Sequence, residues 1–182
     1  MKKNYLFIAC IVLLVCIAVT ACDSPVGWTV FEAGRPLTLK KDVGICVNDT
    51  WYPVSEDAKP LLKALGNDYE LFSEEDDAKE FAYEHCSVLT NHSKGKDIWY
   101  AIELYDATLC TARGIKVGDA VDKVYGAYGD KYYWEDEYLL IYFVSGAASG
   151  DLEELKSPYI AFTVEEGIVM QILICFPTNV SE

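Results

Sequence analysis

Positive charge is scarce in this sequence. Its 182 residues hold 15 Lys and Arg against 29 Asp and Glu, a formal net charge of −14 at pH 7. A nucleic-acid binder must neutralise phosphates with Lys and Arg, so that class of partner is excluded, and anionic headgroups would repel the folded part as well. Histidine is scarcer still, with only His85 and His92. The Cys86 between them invites a zinc reading, but a strand over 83–90 would point His85 and Cys86 to opposite faces. No cysteine pair has close metal spacing, no serine sits in a nucleophile elbow, and no glycine-rich loop ends in Lys-Ser or Lys-Thr. The acidic run SEEDDAKE at 73–80 lacks the ligand spacing and central glycine of a calcium loop and reads as a solvated loop. Glu135 and Glu137 would share one face of a strand and could be set up for acid/base work, yet nothing marks a substrate cleft around them. The expectation is a non-catalytic protein with no metal and no other cofactor.

Charge of either sign is missing from Tyr5 to Ala21, directly after the basic Lys2 and Lys3. That is the layout of an export signal. With Cys22 the uncharged run reaches eighteen residues, about the minimum for a single transmembrane helix. A cleaved signal and an uncleaved anchor with an incidental Cys22 are therefore both on the table. The flank favours the first. Val19-Thr20-Ala21-Cys22 offers a branched apolar residue, two small residues and a cysteine, and it resembles the lipobox of bacterial lipoproteins. The resemblance implies that the Cys22 thiol is alkylated with diacylglycerol and that residues 1–21 are removed as signal peptide. The mature chain would then sit on the outer leaflet of the bacterial cytoplasmic membrane. Two or more acyl chains anchor durably at roughly 0.8 kcal/mol per buried methylene. Residues 22–36, rich in small and turn-forming side chains, read as the lipidated N-terminus and its tether.

Four cysteines remain after that cut: Cys46, Cys86, Cys110 and Cys175. An even number in an exported chain suggests disulfides, with three pairings to choose from. A hairpin turn at the KGK of 94–96 would set Cys86 across from Glu103 or Leu104, within reach of Cys110, which favours Cys86–Cys110 and leaves Cys46–Cys175. Buried thiols are the alternative.

What the chain has in quantity is apolar periodicity. Ala58, Leu61, Leu62 and Leu65 are spaced for one face of a helix and precede Gly66. Val121, Val124, Tyr125 and Tyr128 have the same spacing and precede Gly129, at a constant offset of 63. Strand-like pairs follow each helix, flanking turns at Ser93 to Lys96 and at Glu165 to Gly167. Ile98, Tyr100, Ile102 and Leu104 are expected on one face of the first hairpin, and Ile168, Met170, Ile172 and Ile174 on one face of the second. The pattern predicts an α+β fold of two tandem pseudo-repeats, each a short helical segment packed on an antiparallel β-sheet, over 37–108 and 109–182. The stretch GIKVGDAVDKVYGAYGD at 114–130 resembles the glycine, helix and aromatic-glycine signature of the beta-lactamase inhibitory protein family and of the small lipoproteins of outer-membrane assembly. That resemblance implies the same tandem architecture.

Tyr and Trp concentrate in YYWEDEY at 132–138, with Trp51 and Tyr52 elsewhere. Such rings give large contact areas with few rotors to freeze. Trp51, Tyr133, Trp134, Glu135 and Glu137 are the expected partner-binding residues, whereas Trp99 belongs to a central strand and the core. The expected function is a membrane-anchored module that binds a protein or another envelope component, basic in character because the chain is acidic. The alternative is a small-ligand-binding or hydrolytic envelope protein with its site between the repeats.

Overall fold

The computed structural model describes residues 34–48, 50–75, 78–145 and 156–177. The uncharged run from Tyr5, the lipobox-like Val19-Thr20-Ala21-Cys22 and the expected tether up to Ala33 lie outside the described residues. Helix α1 (Leu39–Asp42) leads into a small hairpin of β1 (Gly44–Val47) and β2 (Thr50–Pro53). Helix α2 (Ala58–Leu65) precedes β3 (Glu70–Glu75), β4 (Ala78–Ala82), β5 (Cys86–Ser93) and β6 (Lys96–Leu104). Helix α3 (Val121–Tyr128) precedes β7 (Tyr133–Trp134), β8 (Leu139–Phe143), β9 (Tyr159–Glu165) and β10 (Ile168–Cys175). Among the described residues no helix is long and apolar enough to cross a membrane.

The turns form where the sequence predicts them. Lys94 and Gly95 both take positive φ, 51° and 79°, as do Glu166 and Gly167, at 49° and 77°. Two successive left-handed residues make the hairpin turn whose twist matches that of its strands. The β5–β6 register that results puts Cys86 opposite Leu104. Asp57 caps α2 by accepting from the Lys59 N–H at 3.0 Å. Helix α3 begins after Ala120, while the Asp119 carboxylate is taken by the Lys116 N–H and Lys123 Nζ.

The architecture corrects the α+β expectation of two tandem helix-on-sheet pseudo-repeats. The fold is mostly β, built on one eight-stranded antiparallel sheet in the order β3-β4-β5-β6-β10-β9-β8-β7. The join is β6 with β10, where Leu104 faces Ile172 and Ile102 faces Ile174. That ladder makes one continuous sheet, and one main core lies on one of its faces. The helices are minor covers of it. Of the four apolar positions expected to be buried on each, only Ala58 and Leu61 on α2 and Val124 and Tyr128 on α3 are.

Two bulges explain why the expected strand faces are only half right. One lies between Leu89 and Thr90 of β5, opposite the stretch from Trp99 to Ala101 in β6, and the other falls between Val169 and Gln171 of β10. An extra residue on one strand switches the faces beyond it. The inner face therefore takes Trp99, Ile102 and Leu104 from β6 and Val169, Ile172 and Ile174 from β10, all 1% exposed or less. Ile168 and Met170 are left 39% and 46% exposed.

A buried ion network fixes the entry of the chain into this core. Asp42 and the Arg113 side chain are fully buried, with Arg113 Nε donating to Asp42 Oδ1 at 2.9 Å. Arg35 grips both carboxylate oxygens at 2.9 Å, and the Thr38 N–H donates to Oδ2 at 2.7 Å. Arg113 also donates to the Ala127, Arg35 and Pro36 carbonyls and stacks 4.7 Å from the Tyr128 ring centre. Burial pushes the Asp42 carboxyl up, but Arg113, the Thr38 N–H and Arg35 outweigh it and hold the group below its usual 3.8.

Candidate functional site

The helices and the small hairpin all pack on the inner face of the sheet, and the opposite face carries its own chemistry. Register defines it. One row runs Phe143, Tyr159, Cys175, Ala101, Leu89, Glu80, Phe72 from β8 to β3, each residue directly opposite the next. The neighbouring row runs Tyr133, Ile141, Ala161, Leu173, Glu103, Ser87, Ala82, Glu70 across all eight strands. Neither row contains Lys or Arg.

The two ends of this face differ. Toward β7 lies a second, smaller apolar cluster in which the buried Ile141, Phe143 and Ala161, each 2% exposed, pack with the partly buried Tyr133, Leu139, Tyr159 and Leu173. Phe143 and Tyr159 meet edge to face at 6.0 Å, and burial beside Cys175 raises the Tyr159 phenol. Toward the centre lies a polar network. Ser87 Oγ donates to Glu80 Oε1 at 2.7 Å, Gln171 Nε2 to Glu103 Oε1 at 2.7 Å, and Tyr105 OH to Glu103 Oε2 at 3.0 Å. Burial, Glu103 and Glu80 raise the Tyr105 hydroxyl against a hydrogen bond with Ser87, so it stays protonated and can donate. These groups can accept from cationic donors and pack against flat apolar surface.

The residues singled out in the sequence scatter over this frame. Tyr133 stands on the open face over Ile141, with Glu135 exposed beside Tyr159. Trp134, one residue on, points the other way and packs against the main core. Glu137 is exposed in a turn, where the Asp136 carboxylate accepts from the Tyr138 and Leu139 N–H groups, so Glu135 and Glu137 do not share a strand face. Trp51 belongs to the separate two-stranded sheet, with its Nε1 donating to the Lys40 carbonyl at 3.2 Å. Sequence reasoning missed Glu80, Ser87, Glu103 and Gln171. Their signal was the alternation of polar residues in β4 to β6 and β10, which the bulges obscured.

His85 and His92 each meet a carboxylate, Asp106 at 2.7 Å and Asp97 at 2.9 Å, while Cys86 faces the core. No disulfide joins any of the four cysteines, so neither Cys86–Cys110 nor Cys46–Cys175 is formed. Cys86 faces the inner core and Cys175 the opposite face of the sheet, while Cys46 lies in the small hairpin and Cys110 precedes Thr111, which bridges to that hairpin at Ile45. A cleft of about 540 Å³ lies between α2 and the β5–β6 turn, lined by Asp57, Lys59, Lys63, Tyr69, Lys96 and Asp97. The Lys96–Asp57 and Lys79–Asp97 pairs engage both of its carboxylates.

No protein-family model matches the sequence, and neither does any curated protein. Among solved structures, the chain is similar to an extracellular protein containing a SCP domain from Bacillus anthracis str. Ames, at 9% identity and a TM-score of 0.44. The match covers 68% of this chain and 44% of that one, so the chain spans less than half of that protein's length.

Proposed function

We propose that this protein is a non-catalytic extracytoplasmic lipoprotein, anchored through Cys22, whose open sheet face binds a basic protein or another cationic envelope component. The observation that carries the binding half is the pair of rows across the sheet, in which aromatic and aliphatic side chains of β7 to β10 give way to the carboxylates Glu103, Glu80 and Glu70 on β6, β4 and β3, and neither row holds a cation. Complementary charge would steer the encounter, and the partly exposed edges of Tyr133, Tyr159 and Leu173, seated on the buried Ile141, Phe143 and Ala161, would supply the apolar contact. The anchoring half rests on the resemblance of Val19-Thr20-Ala21-Cys22 to a lipobox.

Capture from solubilised cell envelope tests the first half. The mature chain should retain a partner at low salt and lose most of it at high salt, and Glu80→Lys with Glu103→Lys should abolish the capture. Recovery of no partner at either salt, or capture indifferent to the two charge reversals, would overturn the reading. For the anchor, Cys22→Ala should leave an unprocessed precursor carrying residues 1–21. A membrane-bound native protein with an intact Met1 would sink the lipoprotein assignment.

A further inference from the structure

We propose that Cys46 and Cys110 are the pair that oxidises to a disulfide, while Cys86 and Cys175 remain thiols. Backbone register carries the assignment. An isolated antiparallel bridge joins Ile45 to Thr111, and one step along each segment sets Cys46 opposite Cys110. Directly opposed residues of an antiparallel pair have Cα atoms about 4.5–5.5 Å apart, within the range of about 4.4–6.8 Å that a disulfide spans. Their side chains also share a side. Ile45 and Thr111 are 0% and 1% exposed, and Thr111 Oγ1 accepts from the buried Tyr128 hydroxyl at 2.9 Å. The residues next to them therefore turn the other way together, and both cysteines are half-buried, open to an oxidant.

The other two thiols are placed to stay reduced. Cys86 is 1% exposed on the inner face of β5, and burial with Asp106 nearby pushes its thiol up to about 12. Cys175 lies on the open face of β10 between Tyr159 and Ala101, where burial raises it too. The sheet itself stands between them. A reactive thiol must reach the thiolate form, and neither does so readily.

The oxidant is a disulfide, carried by an oxidoreductase or a small molecule. One thiolate of the pair attacks a sulfur of that disulfide, expels its first thiol and forms a mixed disulfide. The second thiolate then displaces the remaining sulfur. The oxidant's S–S bond breaks, the Cys46–Cys110 bond forms, and two electrons and the two cysteine protons leave with the two released thiols.

Peptide mapping of the full chain tests this, because trypsin isolates each of these four cysteines in its own fragment, 42–63, 80–94, 97–113 and 157–182, apart from the fragment 4–40 that holds Cys10, Cys16 and Cys22. The chain is treated with excess oxidised glutathione, alkylated and digested without reductant. Fragment 42–63 should be joined to 97–113, with 80–94 and 157–182 alkylated, and Cys46→Ser should leave the 97–113 fragment unlinked to any other fragment. Any other linked pair in the unmutated chain, or alkylation of all four cysteines after that treatment, overturns the assignment.

Discussion

The two arginines at positions 35 and 113 are the only ones in the sequence, and both grip Asp42. Removing one member of a buried ion network leaves its partner charged and desolvated, a loss of roughly 3–5 kcal/mol. Asp42→Asn should therefore lower stability by about that amount, read as a fall in the urea midpoint with little change in slope. The same carboxylate sets an acid limit. Its folded pKa lies below its unfolded value, so its contribution is fully present above about pH 4 and fades as pH falls through the folded pKa. Urea titrations from pH 7 down to 2 should show that acid loss in the native chain and a shallower one in Asp42→Asn. This network was not legible in the sequence. Asp42 and Arg113 stand 71 residues apart, and neither sits in a pattern that marks burial. The one available signal was the rarity of arginine in a chain that otherwise uses lysine.

Elements were legible where local chemistry decides them. The Lys94-Gly95 and Glu166-Gly167 turns follow from glycine at a position that needs positive φ, and both hairpins form there. Lys94 holds a left-handed φ of 51° that asparagine tolerates better. Lys94→Asn should raise stability by roughly 0.5 kcal/mol, seen as a higher thermal midpoint. Gly44 is the opposite case. A Cβ there would stand 2.4 Å from the Tyr52 carbonyl oxygen and 2.6 Å from the Trp51 ring, and the backbone atom cannot step aside. Gly44→Ala should cost about 1–3 kcal/mol in the same assay. What local chemistry does not decide is a bulge. Strict alternation put Tyr100 and Met170 inside, and one inserted residue in each ladder gave those places to Trp99 and Val169.

The whole molecule is organised by a pairing with no local signature. Strands β6 and β10 lie some 70 residues apart in the chain, and their ladder makes one sheet where periodicity alone suggested two units. The open face went partly unread for the same reason, because Glu103 and Leu173 become neighbours only through that pairing. Closing Cys46 to Cys110 would add a second long-range tie. A loop of about 64 residues removed from the unfolded ensemble is worth about 4 kcal/mol in the chain-entropy account. The oxidised chain should accordingly need more urea to unfold than the reduced one, and Cys46→Ser should erase the difference. The Arg113 clamp has a mechanical consequence. Gly34 donates to the Ala127 carbonyl, and Arg113 holds the Arg35 and Pro36 carbonyls, so tension on the chain N-terminal to Gly34 is carried first by these bonds. A pull from that end loads several of them together before it can peel α1 from the core, and drag on the folded part would be borne there, away from the open face of the sheet.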